Sequence, residues 1–197
     1  MESALRSGIA LLLGLALFAG GCDKQSAAPE QATANNAGNS MALSAGGESL
    51  SGKVDRSHKG EAAPDIAFTA PDGKPAHVAD FRGKPVLLNL WATWCAPCIA
   101  EMPTLDSLAG DLAGKVTVLT VSQDLGGKEQ VDPFFAKRKF ANLKPWLDPQ
   151  LALSTGYGVN LPTTILYDSD GREVWRVTGG MDWASDKARA LIAEATH

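Results

Sequence analysis

The chain reads as an α/β domain, a mixed central sheet flanked by helices, with two segments ahead of it that take no part in the fold. Three observations predict this class. Apolar runs of strand length alternate with amphipathic stretches of helix length from Val86 to Phe140. A strand–turn–strand signal and one more amphipathic stretch close the chain. The first 60 residues, by contrast, hold no pattern from which a core could be built. A length of 197 residues with 45% apolar content suits one domain plus appendages. The net charge of −4 leaves no basic footprint for nucleic acid.

The leading segment comes first. Arg6 precedes an apolar run from Ile9 to Phe18, followed by Ala19-Gly20-Gly21-Cys22. A charged start, a short apolar core and small residues make a secretory signal. The run is too short for an ordinary transmembrane helix. Residues 1–21 are therefore expected to be a signal peptide. The small residues ending at Cys22 resemble a bacterial lipoprotein signal, in which the cysteine is lipidated and becomes the mature N-terminus. Asp23 directly after it resembles an inner-membrane retention signal. An uncleaved anchor and ordinary signal cleavage are the competing readings. Residues 22–60 are rich in Ala, Ser, Asn, Gly and Gln, as in Gln31–Ser40. Such a stretch cannot bury enough surface to offset its ordering entropy, so it reads as a flexible tether.

The domain proper is expected over residues 61–197. Ala63–Thr69 is an extended start and Pro71-Asp72-Gly73-Lys74 is turn chemistry. His77–Phe81 is then a return limb or a short turn, giving an N-terminal β-hairpin. Val86–Trp91 is a near-continuous apolar run, the mark of a strand buried on both faces. A helix follows from about Ala96 to Ala113, with Ile99, Met102, Leu105, Leu108 and Leu112 on one face. Pro103 inside it should kink it, and Gly114 stops it. Val116–Val121 is a second buried strand. Val131, Phe134, Phe135 and Phe140 mark another helix, with Pro133 in its first turn. Lys144–Leu147 reads as a short edge strand, and Pro149–Thr155 as one or two helical turns. Thr163–Tyr167 and Glu173–Val177 flank the turn Asp168-Ser169-Asp170-Gly171, an antiparallel pair. Trp183 to about Ala195 is the last helix.

The chemistry concentrates at Cys95-Ala96-Pro97-Cys98, where the buried strand hands over to a helix. A helix N-terminus carries partial positive charge and free N–H donors, which favour a thiolate. Cys95 would lie near the N-cap, exposed and acidic, and Cys98 a turn further in and shielded. That asymmetry suits thiol–disulfide exchange, with one attacking and one resolving thiol. Half of a zinc site is the competing reading, but zinc wants a second cysteine pair or spaced histidines. The other candidates are Cys22, His58, His77 and His197, none of them paired. A purely structural disulfide is the other alternative, though so short a loop restrains the unfolded chain little.

With those residues in view, a resemblance follows. Trp94-Cys95-Ala96-Pro97-Cys98 after a buried strand, with Leu161-Pro162-Thr163 before a later one, resembles thioredoxin-fold oxidoreductases. More narrowly, Asn89-Leu90-Trp91-Ala92-Thr93-Trp94-Cys95 and Cys98-Ile99-Ala100-Glu101-Met102-Pro103 resemble the extracytoplasmic TlpA/ResA-type reductases. The likeness covers about residues 61–195. It implies a thioredoxin fold with a central α/β insert, placed here from about Gly126 to Leu147. It also implies a redox-active Cys95–Cys98 disulfide, Cys95 as nucleophile, Cys98 as resolving thiol, and Pro162 as a cis-proline facing them. The backbone of Leu161 would then pair with a substrate strand, and Glu101 would tune the protonation of the thiols. Trp94, Ala96 and Pro97 would form the contact surface around the nucleophile. Trp91, Trp146, Trp175 and Trp183 read as packing. Where thioredoxin has a buried aspartate, six residues before the nucleophile, this chain has Asn89, which cannot titrate.

The resemblance further implies a reductase of protein disulfides that needs no cofactor or metal beyond the two sulfurs. It would sit on the periplasmic side of the bacterial inner membrane, or be soluble in the periplasm after signal cleavage. Its partners would be disulfide-bearing substrates, as in cytochrome c or cytochrome oxidase assembly, and a membrane thiol-electron donor. A copper-binding metallochaperone, with the two cysteines as soft ligands, a disulfide oxidant of the same fold and a peroxidase of related fold are the other functions considered.

Overall fold

The structure, a computed structural model, describes residues 50–196. The expected signal peptide, Cys22 and most of the tether lie outside the described residues. In chain order the elements are β1 (Ser51–Asp55), β2 (Phe68–Thr69), β3 (Pro75–Ala76), β4 (Val86–Trp91), α1 (Ala96–Asp111) and β5 (Thr117–Ser122). There follow α2 (Lys128–Arg138), β6 (Trp146–Leu147), α3 (Ala152–Tyr157), β7 (Thr163–Tyr167), β8 (Glu173–Met181) and α4 (Asp186–Ala193). The strands form one sheet in the order β1-β8-β7-β4-β5-β6-β2-β3. It is mixed as expected: β4 runs parallel to β5 and antiparallel to β7.

All six residues of β4 are buried. Burying a Val or Leu side chain stabilises by about 1.5–3 kcal/mol, so this central strand outweighs the two-residue strands at the far side of the sheet. The period of two divides its side chains between two cores. Val86, Leu88 and Leu90 pack with Phe68, Val78, Leu119 and Ile165 on one side. Leu87 and Trp91 pack with Met102 and Leu105 of α1 on the other. Asn89 lies between Leu87 and Trp91 in this alternation, so a polar side chain is driven into the α1 face of the core. On α1 itself, Met102, Leu105 and Leu108 are buried and Ile99 is half-buried, as is the C-cap Leu112.

Several expectations need correction. Ser51–Asp55 falls inside the stretch read as tether, yet it is a strand paired antiparallel with β8. Its sequence is too polar to announce a strand, and it borrows its order from the ladder of β8. Of the two readings of His77–Phe81 the short turn holds: Val78–Phe81 is a 3₁₀ turn, and the return limb of the N-terminal hairpin is Pro75–Ala76. β6 is short but internal, because β5 holds one side of it and β2 the other. Pro133 is the sixth residue of α2, not part of its first turn. β8 runs four residues past the expected end, to Met181. α4 starts at Asp186 with Ser185 as its N-cap, whose side chain accepts from Ala188 N. Trp183 precedes it in a loop. The insert does carry a helix and a strand, and it packs on the site: the Trp91 ring lies 5.2 Å from Phe134 and 5.9 Å from Phe135.

Candidate active site

Cys95 and Cys98 are joined as a disulfide at the β4–α1 junction, with Cα atoms 5.3 Å apart. Cys95 is the N-cap of α1 in extended conformation, and its Sγ accepts from Cys98 N at 3.4 Å. Pro97 occupies the first turn, where its missing N–H costs nothing. The first turn holds no acidic residue that would oppose a thiolate. The expected asymmetry is present but smaller than foreseen. Cys95 is 6% exposed rather than open, and Cys98 is fully buried.

The rim of the site comes from three separate segments. Trp94 is 68% exposed; Ala96 is exposed, and Pro97 and Leu161 are half-buried. Strand register brings the second segment in: Leu90 of β4 pairs with Thr163 of β7, so Leu161-Pro162 stands at the sheet end where β4 runs toward Cys95. The Leu161–Pro162 bond is cis. Pro162 O accepts from Gly179 N at 2.9 Å. The third segment is Gly179-Gly180. A Cβ on Gly180 would lie 3.3 Å from Pro97 O and 2.7 Å from Leu50 Cδ2. Only a residue without a side chain lets β8 approach the redox loop this closely.

Glu101 is the most unusual group here. It lies one helical turn beyond Cys98 and is fully buried. Asn89 Nδ2 donates to its Oε1 at 2.8 Å. Met181 N and Trp183 Nε1 donate to its Oε2 at 2.9 Å and 3.2 Å. Asn89 Nδ2 also donates to Thr164 Oγ1 at 2.9 Å, and Asn89 Oδ1 has no partner. Desolvation dominates: it raises the Glu101 pKa from 4.5 to about 7, against the three donors that pull it down. A carboxylate offers about four acceptor positions. Two partners on Oε2 and one on Oε1 leave a single position open, on Oε1.

The approach to Cys95 is braced from β5. Thr93 N and Thr93 Oγ1 donate to Asp124 at 2.9 and 2.6 Å, and Ser122 Oγ donates to the same carboxylate at 2.7 Å. Among the described residues no three His, Cys, Asp or Glu side chains converge on a point that could hold a metal ion.

The structure thus gathers Trp94, Cys95, Ala96, Pro97 and Cys98 with Leu161 and Pro162 at one sheet end, and puts Glu101 behind them in the core. Glu101 is no solvated helix charge. Three participants were not foreseen. Trp183 does pack in the core as expected, and its indole in addition donates to Glu101. Met181 contributes only its backbone, for which a sequence carries no mark. Asp124 sits 29 residues after Cys95, and nothing in the spacing pointed to it.

A thioredoxin-like sheet that presents a Cys-x-x-Cys disulfide at a helix N-terminus defines a thiol:disulfide oxidoreductase. Comparison with known proteins agrees. The Redoxin family model matches residues 58–192. The thiol-disulfide oxidoreductase ResA of Geobacillus thermodenitrificans is 35% identical over 123 residues, 62% of this chain and 70% of that protein. The thioredoxin-like protein YneN of Bacillus subtilis is 32% identical over 114 residues, 57% of this chain and 67% of that one. Among solved structures, a Chlorobium tepidum protein described as the thiol:disulfide interchange protein DsbE is 27% identical with a TM-score of 0.63. That match covers 71% of this chain and 98% of the other. The exposed lipoprotein thioredoxin of Streptococcus pneumoniae is 30% identical with a TM-score of 0.56, covering 65% and 98%. The chain belongs to the Redoxin family, in its ResA-like thiol-disulfide oxidoreductase branch.

Proposed function

We propose that this oxidoreductase works as a reductant of protein disulfides, with Cys95 as the attacking thiol and Cys98 as the resolving one. The observation that carries this is the unequal setting of the two sulfurs: Cys95 caps the helix with its Sγ on a backbone N–H, while Cys98 is sealed in the core. In the dithiol form the Cys95 thiolate attacks a substrate disulfide. A mixed disulfide forms and one substrate sulfur leaves as thiolate. Cys98 then gives up its proton, attacks the Cys95 sulfur and releases the second substrate sulfur. Two electrons pass to the substrate, and the Cys95–Cys98 disulfide is formed. Asn89 cannot take the Cys98 proton, so that role falls to Glu101, whose open position lies on Oε1. A pKa of about 7 suits a group that must both accept and return a proton near neutrality.

The reducing direction is supported by a motif that has proline beside Cys98 and no histidine between the cysteines. An oxidant-like potential on equilibration with glutathione would reverse it. The enzyme is held at the periplasmic face of the inner membrane by lipid on Cys22, which the resemblance of Gly20-Gly21-Cys22-Asp23 to a lipoprotein signal supports. It draws electrons from a membrane thiol donor. Its substrates are cysteine pairs such as those presented in cytochrome c or cytochrome oxidase assembly. Trp94, Ala96, Pro97 and Leu161 contact the substrate, and Pro162 holds the loop that presents Leu161.

The test is trapping. Cys98→Ser should accumulate mixed disulfides with substrate proteins at Cys95 that dithiothreitol releases, and Cys95→Ser should accumulate none. Equal trapping by both variants, or by neither, contradicts the assignment.

A further inference from the structure

Among the described residues two large apolar side chains are openly exposed, Trp94 at 68% and Leu125 at 73%. A single exposed leucine calls for no explanation. These two, however, belong to one place. Trp94 follows Thr93, and Leu125 follows Asp124. Thr93 and Asp124 are joined through the Thr93 N–H and hydroxyl. These two hydrogen bonds tie the segment after β4 to the segment after β5, at the end of two parallel strands. Asp124 is itself buried and held by Ser122, so the tie is anchored. Leu125 then stands at the head of the turn Leu125-Gly126-Gly127, whose glycines place no side chain beside it.

We infer that Leu125 is a second docking residue for substrate, and that the preferred substrate is an extended segment with a large apolar side chain within a few residues of its disulfide cysteine. The inference deepens the proposed function and rests on it. A substrate in mixed disulfide with Cys95 must run its chain over the adjoining surface. Residues 94–97 and 160–162 at the disulfide, and residues 125–127 next to the tied Asp124, carry no charged side chain. Recognition by these residues themselves is not ionic. It comes from apolar area removed from water on two props, Trp94 on one loop and Leu125 on the other, at a spacing that Asp124 maintains.

The experiment compares Leu125→Ser and Leu125→Met with the unaltered enzyme on two substrates, insulin and a small disulfide such as oxidised glutathione. Leu125 is a surface turn residue, so both variants should fold. Removing the leucine contact should lower kcat/KM for insulin about five- to tenfold, with a much smaller effect on the small disulfide. Leu125→Met should restore most of the loss. A pair of model peptides, with leucine or glutamate beside the cysteine, should be discriminated by the enzyme and less so by Leu125→Ser. Raising the salt should leave the preference in place. An unchanged ratio of insulin to small-disulfide activity in Leu125→Ser overturns the inference while leaving the reductase reading intact. An unaltered enzyme that reduces the small disulfide but not insulin removes the protein-reductase reading and this inference with it.

Discussion

Replacing Glu101 by Gln tests the reading of the buried carboxylate most directly. The side chains are nearly isosteric, and the site can receive the amide. Met181 N and Trp183 Nε1 can continue to donate to the Gln carbonyl oxygen. The Gln amide then faces Asn89, whose unpartnered Oδ1 can turn to accept from it. The variant should therefore fold, and its difference from the parent should lie in pH dependence. In the parent the Glu101 pKa is raised on folding from 4.5 to about 7. The folded state thus binds more protons than the unfolded state between these values. The stability this provides is fully present below pH 4.5 and is lost as the pH rises through about 7. A rise from 4.5 to about 7 corresponds to about 3 kcal/mol. Urea unfolding of the oxidised protein, in which neither active-site thiol titrates, should show the parent losing about 3 kcal/mol more than Glu101→Gln over that range. In the kinetics, resolution of the mixed disulfide should slow near neutral pH, and the step near pH 7 should vanish from its rate profile. If parent and variant give parallel stability curves and equal resolution rates from about pH 5 to about pH 9, Glu101 neither carries the shifted proton nor serves the thiols.

Further outcomes follow from the same contacts. Trp183→Phe keeps an aromatic ring but removes the indole N–H that donates to the Glu101 carboxylate. The carboxylate is then less stabilised, so the midpoint of the resolution profile should move upward by about one unit; a downward or absent shift would detach the indole from the proton site. Gly180→Ala should press on Pro97 and Leu50 and destabilise the oxidised form by about 1–3 kcal/mol, read from urea unfolding. Cys22→Ala should release the protein from the membrane fraction and abolish a diacylglycerol mass increment on the N-terminal peptide; membrane retention in the variant would point to an uncleaved apolar anchor instead.

Much of the molecule was legible in its residues for local reasons. The six apolar residues of β4, the helical spacing of Met102, Leu105 and Leu108, and the turn Asp168–Gly171 each report their own conformation. Periodicity and turn chemistry are properties of neighbouring residues. The same holds for the motif: Cys95 caps a helix because a proline and helix formers follow it at once. The hidden parts are those set by contacts between distant segments. β1 is a strand only because β8 offers it a ladder. β6 is internal only because β2 folds across from the far end of the sheet. Cys95 is less exposed than its place in the chain suggests, since it packs into the core cluster on the α1 side of the sheet. The charge state of Glu101 depends on Asn89, on Trp183 and on a backbone N–H 80 residues away. Sequence by itself determined which atoms can react; the tertiary structure decided how dry their surroundings are and which donors meet them. Desolvation and hydrogen bonding depend on position in space, and it is these that place a carboxylate near neutrality beside a pair of sulfurs.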